Sequence, residues 1–186
     1  MTLVSQFKES LESIGGIVRV ADSEHSLIRS LQEIAADEQA KTLMIWDRHE
    51  LRKAAGKAFS GSDYIVYINH KHQSKDELIE DAKKADIGIT WGDVGIAETG
   101  SIALISGEGK ARSVSLIPRI HVAVLPSASL VAKRAEAFRI LASGMAKTRN
   151  VTLISGPSRT GDIDGKLYVG VHGPVKMYAL IADYEA

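Results

Sequence analysis

Cysteine is missing from all 186 residues. Its absence excludes disulfides, thiolate zinc sites, cysteine nucleophiles and any cluster held by the chain's own cysteines. A charge excess is missing as well: 23 Lys and Arg balance 23 Asp and Glu. Proteins that live on nucleic-acid phosphate usually carry a basic surplus, so DNA and RNA are not expected partners. No apolar run approaches the roughly 18 residues of a membrane-spanning helix. The first residues hold Lys8, Glu9 and Glu12 where a signal peptide would have its apolar centre. A cytoplasmic protein without a membrane span is the resulting expectation. What is present is ordinary globular material, 45% hydrophobic and 25% charged. One domain of this size buries roughly two-thirds of its unfolded surface.

The apolar spacing alternates between two periods. Residues 3–14 carry Leu3, Val4, Phe7, Leu11 and Ile14 at helical intervals, and Gly15-Gly16 ends the run. Residues 17–20 read as a short strand, after which Asp22 or Ser23 caps a helix through Leu27, Ile28, Leu31 and Ile34. Residues 42–46 and 64–68 are apolar strands on either side of a helix over 51–59. Ser74 and Glu77 form a capping box for a helix ending near Lys84. Continuously apolar strands alternating with helices predict an α/β fold, a mainly parallel sheet flanked by helices. Beyond Asp86 glycines crowd in, and strands are expected at 87–90, 102–106, 113–117, 121–125, 151–154, 168–171 and 175–181. A long helix is expected over 133–147 and a loop over 155–165.

Ligands of open α/β sheets sit at strand ends, where polar groups meet adaptable backbone. Three segments have that character. In residues 90–101, Asp93 and Glu98 supply carboxylates, and Thr99, Gly100 and Ser101 offer a glycine flanked by hydroxyls, suited to an oxyanion or phosphate. Glu98 is the candidate base or nucleophile; the competing reading is a tight turn whose acids bind backbone amides. In residues 155–164, Ser158, Arg159 and Thr160 suit a carboxylate or phosphate. There the alternative is an ordered connection with Arg159 paired to Asp162 or Asp164. His172, beside Gly173-Pro174, is the candidate proton carrier, or else a hydrogen-bonded turn residue.

Several patterns fail on a defining residue. Asp162-Ile163 stands where a phosphate-binding loop needs Lys-Ser or Lys-Thr. Arg112 replaces the third glycine of a dinucleotide fingerprint after Gly107 and Gly109, which read as a hairpin turn leading into a strand. His70 and His72 lie in a polar loop with no carboxylate pattern for a metal, and are expected to be exposed.

Four runs together carry a resemblance. They are Gly88-Ile89-Thr90-Trp91-Gly92-Asp93 through Ala97-Glu98-Thr99-Gly100-Ser101, then Pro118-Arg119-Ile120-His121, then residues 155–163 (Ser-Gly-Pro-Ser-Arg-Thr-Gly-Asp-Ile), then Gly170-Val171-His172-Gly173-Pro174. In order, spacing and wording they resemble the LUD-domain family, and within it the lactate-utilisation protein C (LutC/YkgG) group. The resemblance implies one LUD domain over residues 1–186, with a variable part to residue 85 and the motifs in 86–186. It implies a NagB/RpiA/CoA-transferase-like fold and a place in the oxidation of L-lactate to pyruvate beside iron–sulfur partner proteins. No cofactor is expected on this chain, and the lack of cysteine fits a cluster-free member of such a set. Glu98-Thr99-Gly100 also resembles the Glu-Asn-Gly segment of class I CoA transferases, with Thr99 departing from the Asn. Two other expectations stand beside the first: a stand-alone enzyme on a CoA ester, folate or sugar phosphate using Glu98, and a non-catalytic ligand-binding or scaffold module.

Overall fold

The computed structural model describes residues 2–61, 63–144, 150–161 and 166–184. Helix α1 (Leu3–Ser13) starts at Thr2, whose hydroxyl accepts from the Ser5 amide, and buries Phe7 and Leu11. It closes in a Schellman turn: Gly16 N–H bonds the Leu11 carbonyl and Gly15 N–H the Glu12 carbonyl. The chain then alternates through β1 (Ile17–Ala21), α2 (Glu24–Asp37), β2 (Thr42–Trp46), α3 (His49–Phe59), β3 (Ile65–Asn69), α4 (Lys75–Lys84) and β4 (Ile87–Trp91). Ser23 caps α2, and the Ser74–Glu77 capping box starts α4.

From β4 the chain leaves the main sheet through β5 (Val94–Ile96), β6 (Ser101–Ile105) and a short helix α5 (Ser113–Leu116). It returns as β7 (Ile120–Pro126) and leaves again through β8 (Leu130–Val131), α6 (Arg134–Gly144), β9 (Val151–Ile154), β10 (Arg159–Gly161) and β11 (Leu167–Val169). Strand β12 (Lys176–Ala182) completes a six-stranded sheet in the order β1-β12-β7-β4-β2-β3, every pair parallel. Strands β4 and β7 are buried almost throughout, which is why their sequences are largely apolar on both faces, Thr90 and His121 excepted, rather than apolar at alternate positions only. Helix α2 packs on α3 and α4 on α5, and with the strand order this fits the right-handed rule for parallel crossovers, which puts the two pairs on opposite faces.

A second sheet, β8-β5-β6-β9, packs alongside. Its strand β6 alternates: Ile102 and Leu104 join the main core, while Ala103 faces a smaller cluster with Val94, Ile96, Ala137 and Leu141 of α6. Strands β10 and β11 form a separate two-stranded ribbon. Among the described residues no helix is long and apolar enough to cross a membrane.

Four sequence expectations are corrected. Residues 113–117 are a helical turn, because β4 and β7 pair directly and leave no slot between them. The Val114 carbonyl lies 1.7 Å from where a side chain at Gly88 would begin, so α5 rests on bare β4 backbone. The turn at Gly107–Lys110 therefore leads into a helix and not a strand. Residues 167–169 pair with β10 and not with the main sheet, and β10 lies inside the expected 155–165 loop. The strands expected at 102–106 and 151–154 are present as β6 and β9, which pair antiparallel in the second sheet. The end of the expected 133–147 helix, like Asp162 and Asp164, lies outside the described residues.

Candidate functional site

The glycine between two hydroxyl residues is a packing device. Gly100 has φ +63°, and a Cβ there would lie 2.3 Å from the Leu11 amide nitrogen. Only glycine meets both conditions without strain. Helix α1 thus lies directly on this loop, and Ser10 Oγ donates to the Ala97 carbonyl at 2.8 Å. On the other side of the glycine, Thr99 Oγ1 and Ser101 Oγ share a hydrogen bond of 2.7 Å. Ser101 Oγ shares another of 2.6 Å with Ser155 Oγ. The first and second sequence segments therefore meet through a three-hydroxyl chain. The second and third meet through backbone: Ser158 N–H bonds the Pro174 carbonyl and Gly170 N–H the Ser158 carbonyl, each at 2.9 Å.

Between these loops and the main sheet lies a cavity of about 240 Å³. Ser155, Ser158 and His172 line it, with Met177, Leu153 and Ile154 as apolar wall. At its inner end is His121, 1% exposed, side by side with Met177 on neighbouring strands. The Nε2 atom of His121 and Thr90 Oγ1 share a hydrogen bond of 2.8 Å. The Nδ1 atom has no partner. Burial pushes the ring's pKa down from 6.5 to about 3, so the imidazole is neutral at ordinary pH. His121 and Met177 are second in their strands, which places the cavity by the amino ends of β7 and β12. His172-Gly173-Pro174 reaches it because those residues immediately precede β12.

The remaining candidates lie elsewhere. Asp93 Oδ2 accepts from the Ile105 amide at 2.7 Å and closes the β5–β6 hairpin; burial raises its pKa. Glu98 Oε2 accepts from the Arg134 amide at 3.2 Å and from Arg134 Nε at 3.3 Å. The backbone amide of Arg134 leads in holding that carboxyl below its usual range, at the start of α6. Arg159 is exposed on β10 and its guanidinium lies over Gly15. Thr160 stands opposite Tyr168 in the ribbon.

A family model described as the LUD domain matches residues 4–182. The chain belongs to the LUD-domain family. It is 33% identical over 184 residues to a protein of Shouchella clausii named lactate utilization protein C, covering 97% of this chain and 79% of that one. A protein of the same name from Halalkalibacterium halodurans is 32% identical over 161 residues, 84% of this chain and 69% of the relative. A solved structure described as a DUF162 family protein of Deinococcus radiodurans superposes with a TM-score of 0.71 at 20% identity, over 97% of this chain and 96% of that one. That likeness shows the fold.

Within this LUD domain the residue that sequence reasoning missed is His121. Its local signal is one polar side chain in the otherwise apolar run Ile120–Pro126. A larger cavity of about 560 Å³ opens near the carboxyl ends of β1, β4 and β12, beside Asp22, Glu24, Lys53, Trp91 and Tyr184. Its charged groups already satisfy each other or nearby hydroxyls. Glu24 pairs with Lys53 and Lys57, and Asp22 accepts from Ser23 and Ser26. Of these two cavities, the smaller is lined by a described residue, His121, that carries an unsatisfied buried nitrogen. Among the described residues no three acidic or histidine side chains converge as metal ligands, and His70 and His72 are exposed.

Proposed function

We propose that this protein is a component of the oxidation of L-lactate to pyruvate, that it acts beside iron–sulfur partner proteins, and that it holds no cluster itself. One observation carries the reading: the 33% identity to a lactate utilization protein C over 97% of this chain. The chemistry is compatible. Converting lactate to pyruvate releases two electrons and two protons, and a chain with no cysteine has no thiolates to ligate an electron-accepting cluster. The electrons pass to partners, while this chain contributes binding or positioning through the cavity at His121.

The test uses the tagged full-length chain in its own host, grown on L-lactate. The expected result is an iron-containing complex that reduces an artificial electron acceptor when L-lactate is added, and loss of growth on L-lactate when the gene is deleted. Undiminished growth of the deletion strain, with a chain that purifies free of iron proteins, rejects the reading.

A further inference from the structure

His121 is an unusual residue to find against an empty space. It sits in a fully buried stretch of β7, with Ala123 and Val124 following on the same strand. One ring nitrogen is held by Thr90 at 2.8 Å, which fixes the ring's orientation, and the other has no protein partner. Buried polar atoms are nearly always satisfied, and an exception asks for a reason. The residue lines a cavity of about 240 Å³ that also presents the Ser155 and Ser158 hydroxyls.

The lining restricts what fits. No lysine or arginine lines this cavity among the described residues, and the ring of His121 is neutral. A carboxylate is therefore poorly served at the inner end, since a buried charge needs more than neutral partners. A carbonyl or hydroxyl oxygen is well served there. When the Thr90 hydroxyl donates to Nε2, the ring proton resides on Nδ1, which is then a donor without a protein partner. At the outer end His172 is exposed and Ser158 offers a hydroxyl, so a carboxylate there keeps contact with water. Met177, Leu153 and Ile154 supply apolar wall for a short alkyl group.

We propose that His121 Nδ1 binds the keto or hydroxyl oxygen of a short-chain 2-oxo or 2-hydroxy monocarboxylate, with the carboxylate facing Ser158 and His172. The choice of acid class rests on the lactate reading above; the position of the oxygen rests on the geometry. Thr90 is a positioning residue that acts through the ring tautomer.

The experiment is histidine nitrogen NMR on the full-length chain, labelled with ¹⁵N-histidine and titrated with pyruvate, L-lactate or acetate. Acetate keeps the carboxylate and methyl group and lacks the 2-oxygen. Pyruvate or L-lactate is expected to move the His121 nitrogen signals, with acetate leaving them in place. In calorimetry, His121→Gln is expected to weaken the same ligand at least tenfold. Thr90→Val is expected to weaken it less and to redistribute the ring between its two tautomers. If both acids bind without moving the His121 signals, or if acetate moves them equally, the proposed position is overturned. If neither acid binds the chain, the inference is overturned, while growth on L-lactate and co-purification decide the broader reading independently.

Discussion

Glu98 looks like a reactive carboxylate when only its neighbours in the chain are visible, because glycines and hydroxyls surround it. In space its oxygen is engaged by the Arg134 amide and guanidinium at the start of α6. A base for neutral pH needs a raised pKa, and this carboxyl is held low, first by the Arg134 amide. Glu98→Gln is expected to leave pyruvate binding in calorimetry unchanged and to lower the melting temperature slightly. Loss of binding would return Glu98 to the site. His121 presents the reverse case. Its folded pKa, about 3, lies below the unfolded value of 6.5. Between those values the unfolded chain binds a proton that the folded chain does not. Its contribution to stability is therefore complete above pH 6.5 and is lost as pH falls toward 3. From neutrality to about pH 5 this amounts to about 2 kcal/mol. Urea titrations at both pH values should show wild type losing that much more than His121→Gln; equal losses would mean that the ring titrates normally.

At the scale of elements, the alternation of helices with continuously apolar strands was legible, and so was the Ser74–Glu77 cap. Both depend on residues close in the chain. Residues 113–117 were not legible, because a five-residue run of Ser, Val, Leu and Ile satisfies either period. Only the close approach of Val114 to Gly88 decides for a helix. The β10–β11 ribbon is likewise a tertiary product. Two strands alone are marginal in water, and this pair borrows support from Arg159 lying over Gly15 and from backbone bonds joining Ser158 to Pro174 and Gly170. Arg159→Ala is expected to speed amide hydrogen exchange across 158–161 and 166–170 while leaving β7 and β12 protected. Unchanged exchange in the ribbon would show that the backbone bonds hold it alone.

At the scale of the whole molecule, Glu38, just past α2, joins that helix to β12, 138 residues later in the chain. Its side chain is 5% exposed and accepts from Lys176 Nζ at 2.8 Å and from the Tyr178 hydroxyl, with Arg119 at 4.0 Å. Burial alone would raise its pKa; the bonds from Lys176 and Tyr178 outweigh burial and hold it below 4.5. Its stabilisation is therefore present above the unfolded value and is lost as pH falls through the folded one. Glu38→Ala removes the acceptor that joins α2 to β12, and is expected to cost about 2–3 kcal/mol in urea unfolding at pH 7. A loss under about 0.5 kcal/mol would mean that solvent replaces the carboxylate freely. By itself the sequence determined what short-range chemistry determines: helix caps, strands buried on both faces, the α/β class, the absence of any thiolate chemistry, and the motifs of the LUD-domain family. The tertiary structure decided which of the polar residues share a space. Glu98 and Arg159 are engaged at other elements, and Ser155, Ser158 and His172 gather around a histidine inside an apolar strand. The reason is that a parallel sheet joins strands far apart in sequence. Gly88, His121 and Met177 become neighbours only when β4, β7 and β12 align.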